Sequence, residues 1–468
     1  MELVGEVAVH ARAQRDRRRP GRGGCKSCRA VTRCDVDTPQ GLKSLFHADP
    51  VLRSGGGARL WMAPGFRAVG QERTTVSTLS ANPIGAAGAG TAGFTPTIGV
   101  EEEFVLADPG TGAPFLGNTA VAAAARRCGA ELQLELSRCQ IETATPVCTT
   151  LTDLGNQLRR TRAQVAAAAS AVGVAVLATG VPPFGPPPTS ITALPRYQRM
   201  AEHFGLLGEQ VICGCHVHVG LDDRDLAVQV SNHLRPWLPV LLALTANSPV
   251  FAGRDTGYAS WRHVLWSRWP SAGPPPYFRS AQHYDTVVAD MLDHEVILDT
   301  AMVYWDVRLS AHLPTLEVRV SDVPATVEET VLLAALVRAL VTTALGAVHS
   351  GQQAPVLDPA LLRAAYWRAA RDGVSRYALD TGSGHLISAR EATARLVDHV
   401  RPALERTGDY RTVRCAVECV LGAGNGAVRQ RRILRAGSRA DLLHMLTCTT
   451  TDTCASTEEL GHDTADRS

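Results

Sequence analysis

The sequence predicts an α+β fold built on a largely antiparallel sheet of about six strands, and three observations carry that reading. Short segments between residues 97 and 321 alternate polar and apolar side chains with a period of two, as strands with two unlike faces do. Strands dominate the first half and the middle, whereas the last third reads as one helix after another. No regular strand–helix–strand alternation of the parallel-sheet kind is present.

The strand-like segments are 97–106, 131–136, 140–144, 174–179, 211–219, 303–310 and 314–321. The helix-like segments are 150–171, 194–208, 223–245, 283–297, 326–348, 358–371, 388–405, 409–421, 425–435 and 438–447. Asp153 near the start of one helix, and Thr326 with Glu328 and Glu329 at the start of another, suit helix N-termini, where an acceptor meets unpaired N–H groups. The Gly422-Ala-Gly-Asn-Gly426 stretch follows a helix rather than a strand, so it reads as a helix-to-helix turn and not as a nucleotide loop. Residues 1–94 show little periodicity and are punctuated by Gly-rich patches, so they are expected to be a low-order extension. The ordered unit is expected over 95–447, with a disordered tail at 448–468.

Composition excludes several chemistries. The only lysines among 468 residues are Lys26 and Lys43, so the expected ordered unit has no lysine for a Schiff base or a phosphate-binding loop. A formal net charge of +2 gives no reason to expect a nucleic-acid partner. No apolar run reads as a membrane span; residues 165–181 come nearest, and Pro182 and Pro183 follow them. Twelve scattered cysteines suggest a reducing cytoplasm rather than a disulfide framework. Cys25, Cys28 and Cys34 resemble half of a zinc site, but no second pair of ligands follows at finger spacing.

The chemistry gathers on the polar faces of the strands. In Thr97-Ile-Gly-Val-Glu-Glu-Glu-Phe-Val-Leu106, Glu101 and Glu103 share one face, and Glu102 lies opposite with Val100 and Phe104. Glu102 is therefore expected to need a buried partner, an arginine. His216 and His218 share a face, as do Glu317 and Arg319, and Asp306 and Arg308. Glu142 faces away from Ile141, and Glu135 away from Leu134 and Leu136. A sheet face washed by water is one explanation. The other is a hard-cation site, because crowded carboxylates repel one another unless cations neutralise them. Carboxylates outnumber histidines, which favours Mg²⁺ over zinc, and nearby arginines suit an anionic substrate. The residues alone thus point to a metal-dependent enzyme acting on an anionic substrate.

Taken in order, several motifs are recognisable together. Gly99-Val-Glu-Glu-Glu-Phe104, Ile141-Glu-Thr-Ala-Thr-Pro-Val147, Cys213-Gly-Cys-His-Val-His-Val-Gly220 and Thr245-Ala-Asn-Ser-Pro249 come first. Gly253-Arg-Asp-Thr-Gly-Tyr-Ala-Ser260, Trp266-Ser-Arg-Trp-Pro270, Trp305-Asp-Val-Arg308, Pro314-Thr-Leu-Glu-Val-Arg-Val320 and Trp367-Arg-Ala-Ala-Arg371 follow. The set resembles the glutamate–cysteine ligase type 2 family of carboxylate–amine ligases over roughly residues 96–445.

That resemblance implies a glutamine-synthetase-like fold, a curved antiparallel funnel with helices outside. It implies ATP-dependent ligation of the glutamate γ-carboxylate to the amine of cysteine through an acyl phosphate, with Mg²⁺ (or Mn²⁺) as cofactor. By motif position Glu101, Glu103, Glu142, His216 and Glu317 look like metal ligands, with Glu135 an additional one. Arg319 looks like a contact to phosphate or substrate carboxylate, and Arg308 is a second candidate for the chemistry. Asn247, Ser260 and Arg262 are candidates to line the substrate funnel, or else to cap loops through hydrogen bonds. A ligase using a different amine, and a metal-dependent amide or amidine hydrolase that needs no nucleotide, are the alternatives. Small-molecule substrates are expected, with no nucleic acid and no membrane, and a homo-oligomer stays open.

Overall fold

The structure, a computed structural model, describes residues 95–186, 189–205 and 210–451. The expected N-terminal extension, its cysteines and the chain after Thr451 lie outside the described residues. The strands are β1 (Ile98–Ala107), β2 (Gln133–Leu134), β3 (Gln140–Ala144), β4 (Ala175–Leu177), β5 (Gly214–Gly220), β6 (Val250–Phe251), β7 (Arg254–Asp255), β8 (Val307–Leu309), β9 (Thr315–Asp322), β10 (Tyr377–Leu379) and β11 (Leu386–Ser388). The helices are α1 (Asn118–Arg127), α2 (Leu151–Ser170), α3 (Pro195–Phe204), α4 (Arg224–Leu234), α5 (Leu238–Thr245), α6 (Trp261–Trp266) and α7 (Ala281–Asp293). After these come α8 (Val327–His349), α9 (Pro359–Asp372), α10 (Ala389–Thr407), α11 (Tyr410–Ala423), α12 (Gly426–Ala436) and α13 (Arg439–Thr451).

Seven strands form the main sheet in the order β2-β3-β1-β5-β9-β8, with β4 paired to the far end of β1. Its pairings are antiparallel, as the two-faced strands predict. The alternation explains the layering. Ile98, Val100, Cys215, Val217, Val219, Leu316 and Val318 are buried in one core with residues of α2, α4, α5 and α8–α11. The other face keeps the polar side chains. A second core joins the end of β1 and β4 to α1, α2 and α13.

Glu102 is on the apolar side and is fully buried, as its parity requires. Its expected arginine is Arg162 of α2, which forks onto it at 2.9 and 2.6 Å. A buried ion pair stripped of one partner costs about 3–5 kcal/mol, so α2 and β1 are tightly coupled. The most apolar long helix is α8 rather than the 165–181 run; it would be long enough to cross a membrane, but two-thirds of its apolar window is buried inside the protein. It packs on β5, α2, α4, α10 and α11. Thr326 caps it by accepting from the Glu329 N–H. Thr150 does the same for α2 through Asp153.

Other boundaries move for local reasons. The single helix expected over 223–245 breaks between Leu234 and Leu238, because Pro236 has no N–H to continue the ladder and Pro239 starts the next helix. The 131–136 strand shrinks to two paired residues, and 303–310 to three, with Trp305 making an isolated bridge to Gly273 instead of continuing the ladder. The alanine-rich α1 and the six-residue α6 have no separate counterpart in the sequence reading. The helix-to-helix turn before Gly426 is present, with Asn425 capping α12. Helix α13 continues past residue 447 to Thr451.

A buried knot locks α6 and α12 to the end of β9. Asp322 accepts hydrogen bonds from the Asn247 N–H (2.8 Å), Ser248 Oγ (2.7 Å) and Ser260 Oγ (2.7 Å). Asn247 Nδ2 donates to the Ala178 and Val323 carbonyls, and its Oδ1 accepts from Gln430 Nε2. Gly426 is required opposite it, because a β-carbon there would overlap the Asn247 side chain. Asn247→Ala strands these buried partners and is expected to lower unfolding free energy by about 3 kcal/mol in a urea titration; a loss below about 1 kcal/mol would mean that the knot does not hold this region together.

Candidate active site

Register builds the site. Directly opposed residues of antiparallel strands put their side chains on the same face. Glu101 stands opposite His216, and Glu103 opposite Glu142. His218 stands opposite Glu317, which in turn faces Arg308. Gln133 faces Glu142 and brings Glu135 to the same edge. Five carboxylates thereby collect from β1, the β2 segment, β3 and β9.

They divide into two triangles. Ligand atoms of Glu101, His218 and Glu317 lie within 4.8 Å of one another, and so do those of Glu103, Glu135 and Glu142. His218 was not among the ligands expected from sequence, although it shares a face with His216 and sits opposite Glu317. Its Nδ1 is held by Thr315 Oγ1 at 2.9 Å, which turns Nε2 toward Glu101 Oε1, 3.4 Å away. Nε2 is buried without a hydrogen-bond partner. A histidine oriented through one nitrogen and bare at the other suits a cation ligand.

His216 lies between the triangles rather than inside either. Its Nδ1 is 3.1 Å from Glu101 Oε2 and 3.9 Å from Glu317 Oε1, and its Nε2 is 3.7 Å from Glu103 Oε1. With its Nδ1 proton on Glu101, Nε2 presents a lone pair beside the second triangle, where it has no hydrogen-bond partner. Gly99 stands opposite His218 with open space where a β-carbon would be, so nothing from β1 covers the first triangle there.

The charges fall into two regimes. Burial pushes Glu317 upward, but Arg308 and Arg319 outweigh it, with His218 and His216, and hold the carboxyl well below its usual range. Burial likewise opposes ionisation of Glu101, yet His216 and His218 keep it low. The second triangle behaves oppositely. Burial and the Glu135 charge raise Glu103 to about 7, against the pull of Arg262, the Gly214 N–H and Arg319. Burial raises Glu142, helped by Glu101, Glu135 and Glu103. Burial and Arg319 lower His216 to about 4, so it is neutral at pH 7. Crowded carboxylates that resist joint ionisation, beside two unpartnered imidazole nitrogens, form a donor set suited to Mg²⁺ or Mn²⁺.

The arginines differ. Arg308 is fully engaged. Its Nε and Nη2 fork onto Glu317 at 2.8 and 3.2 Å, and Nη1 donates to the Ala301 and Val303 carbonyls. It thus clamps Glu317, and each of its guanidinium nitrogens already has a protein partner. Arg319 bonds Glu317 through Nη1 and approaches His216 Nδ1 at 3.3 Å, while its Nε is buried without a partner. Arg262 is buried against Gly214, where any β-carbon would collide with its guanidinium, and stacks over Trp266 at 5.6 Å. Asn247 and Ser260 correct the expectation that they line a substrate funnel. Both are at most 1% exposed and are consumed in the Asp322 knot, the loop-capping alternative. Arg262 is the one member of that trio whose charge reaches the carboxylate face, through Glu103.

An antiparallel sheet with paired carboxylate triangles and arginine at their edge is a donor arrangement that could hold divalent cations beside an anionic ligand. Comparison with known proteins identifies the family: the model of glutamate-cysteine ligase family 2 matches residues 97–450, and the chain belongs to that family. A protein of Nocardia farcinica named "Putative glutamate--cysteine ligase 2-1" is 55% identical over 338 residues, covering 72% of this chain and 88% of that one. A Mycolicibacterium smegmatis protein named "Putative glutamate--cysteine ligase 2-3" is 51% identical over 358 residues, covering 76% and 98%. The fold is shared with the Francisella tularensis glutamate–cysteine ligase solved with AMP, at a TM-score of 0.59 and 13% identity, over 78% of this chain and 90% of that one. It is also shared with the bifunctional glutathione synthetase of Pasteurella multocida, at a TM-score of 0.57 and 15% identity. There the match covers 77% of this chain and 53% of the longer one.

Two outcomes follow from the electrostatics. Glu103, Glu142 and His218 all have folded-state values above their ordinary ones, so each contributes stability that is lost as pH rises through the folded value. The depressed histidines His216 and His263 act in the opposite sense, but only below about pH 6.5. The melting temperature of metal-free protein should therefore fall as pH rises from about 6.5 through about 7, and the rise produced by Mg²⁺ should grow over that interval. A Mg²⁺ effect independent of pH would remove the second triangle as a cation site. Glu135→Gln removes one of the repelling charges. It should raise the melting temperature without metal yet weaken Mg²⁺ binding about tenfold or more in calorimetry; a lower metal-free melting temperature would contradict the repulsion.

Proposed function

We propose that the protein is an ATP-dependent ligase that joins the γ-carboxylate of glutamate to the amine of cysteine. The carrying observation is the two oxygen-rich triangles side by side, one of them sharing Glu317 with Arg319, whose Nε is unpartnered. Family membership supports the ligase class, and the names of the relatives support glutamate and cysteine as the pair to test first.

In the first step an oxygen of the γ-carboxylate attacks the γ-phosphorus of ATP. The bond to the bridging oxygen breaks, and ADP leaves. In the second, the neutral amine attacks the acyl carbon, phosphate departs with the electrons of the carbon–oxygen bond, and the proton lost from nitrogen leaves with that phosphate as hydrogen phosphate. Bound Mg²⁺ supplies neutralising charge for the phosphate oxygens. Glu101, His218 and Glu317 would hold one cation, and Glu103, Glu135 and Glu142 the other, with His216 Nε2 beside the second. Arg308 keeps Glu317 ionised and fixes its direction. Arg319 can offer its free donor to a phosphate or carboxylate oxygen. Arg262 adds positive potential behind Gly214. Residues 44–468 contain no lysine, so arginine is the cation available for phosphate contact. The cysteines of the described region are all free, which supports a cytoplasmic setting.

The test is ATP turnover with glutamate and Mg²⁺ in the presence of hydroxylamine, followed by a panel of amines in its place. A glutamyl hydroxamate and matching ADP are expected, with cysteine the preferred amine. Absence of hydroxamate from every carboxylate tried would sink the acyl phosphate; preference for another amine would keep the ligase and change its acceptor.

A further inference from the structure

The buried pair behind β1 has a geometry that reaches beyond stability. Glu102 sits between Glu101 and Glu103, one from each triangle, and points the other way. Its carboxylate is gripped at both oxygens by Arg162, and Oε1 also accepts from Thr330 Oγ1 of α8 at 2.7 Å. The same guanidinium donates to the Pro324 carbonyl (3.0 Å) and the Ala325 carbonyl (3.1 Å). Those carbonyls lie two and three residues past the end of β9 (Asp322), the strand that carries Glu317 and Arg319. Arg162 therefore ties the two ligand-bearing strands to each other from the rear. They are not neighbours, for β5 runs between them.

That intervening strand is where the ladder is irregular. The β5–β9 pairing shifts register between Cys215 and Val217, level with His216. The ladder hydrogen bonds through β5 are thus interrupted level with His216, between the strands whose Glu101 and Glu317 converge with it. Like-charge repulsion among the carboxylates also works to spread the strands when no cation is bound. A rigid fork bonded to Glu102 and to the exit of β9 opposes both effects. Stability alone does not call for such a pair, because well-packed apolar residues often replace a buried ion pair without loss.

We propose that Arg162 is a positioning residue for the cation site: through Glu102 and the 324–325 carbonyls it sets the separation of β1 and β9, and with it the span of the two triangles. This rests on the divalent-cation reading of the site given above. The double variant Glu102→Met/Arg162→Met removes the fork and both buried charges while keeping the volume filled. Its metal-free melting temperature should fall only by what the stranded Pro324 and Ala325 carbonyls and Thr330 hydroxyl cost, whereas its Mg²⁺ dissociation constant, read by calorimetry on the folded protein, should rise about tenfold or more. Thr330→Val, which removes one bond and leaves the ion pair, should fold and give a smaller rise, about two- to threefold; it keeps the test decisive if the double variant does not fold. Parent-like Mg²⁺ affinity in a folded double variant, or in Thr330→Val should the double variant not fold, overturns the positioning role while leaving the cation site intact. Absence of any Mg²⁺ effect on the parent protein overturns the cation site, and the positioning role with it.

Discussion

Repulsion between like charges governs this structure. Five carboxylates occupy one face of one sheet, and the strands that carry them would separate if nothing opposed it. The protein answers in three ways. Arg308 and Arg319 neutralise Glu317 directly. Two histidines lean on Glu101. Glu103 and Glu142, beside Glu135, are left without an equal share of cations, and they hold on to protons instead. The unequal treatment is informative. Under-neutralised carboxylates at Glu103 and Glu142 are what the proposed cation would offset.

Much of this was legible in the sequence because strand parity is a strict code. Once β1 is a strand, Glu101 and Glu103 must share a face and Glu102 must not. The same logic placed Glu142, Glu317 and the two histidines, and it required a buried arginine for Glu102. Parity does not report which of two same-face residues meets a partner from another strand. His216 and His218 are equivalent by that code, and only the β5–β9 register, with its shift at residue 215, puts His218 in the first triangle. Thr315, which turns His218, carried no signal of its own.

The remaining mismatches have a common cause. Asn247, Ser260 and Arg262 come from loops and a six-residue helix, where no periodicity tells a reader which way a side chain points. Asn247 and Ser260 turned inward because Asp322, fully buried at the end of β9, needed donors. Arg308 looked like a candidate for the chemistry since its strand neighbours were, but hydrogen bonds to Ala301 and Val303 occupy the nitrogen that Glu317 leaves free. Helix α1 is only ten residues long, and the break between α4 and α5 comes from Pro236 and Pro239, three residues apart within one continuous apolar pattern.

The exclusive use of arginine after Lys43 has a consequence outside mechanism. A guanidinium stays protonated at any cellular pH and is not a substrate for acetyl transfer of the kind that neutralises lysine. The positive charges around the carboxylate face therefore cannot be switched off by the commonest post-translational route. Reagents that acylate primary amines will likewise find no lysine side chain after residue 43.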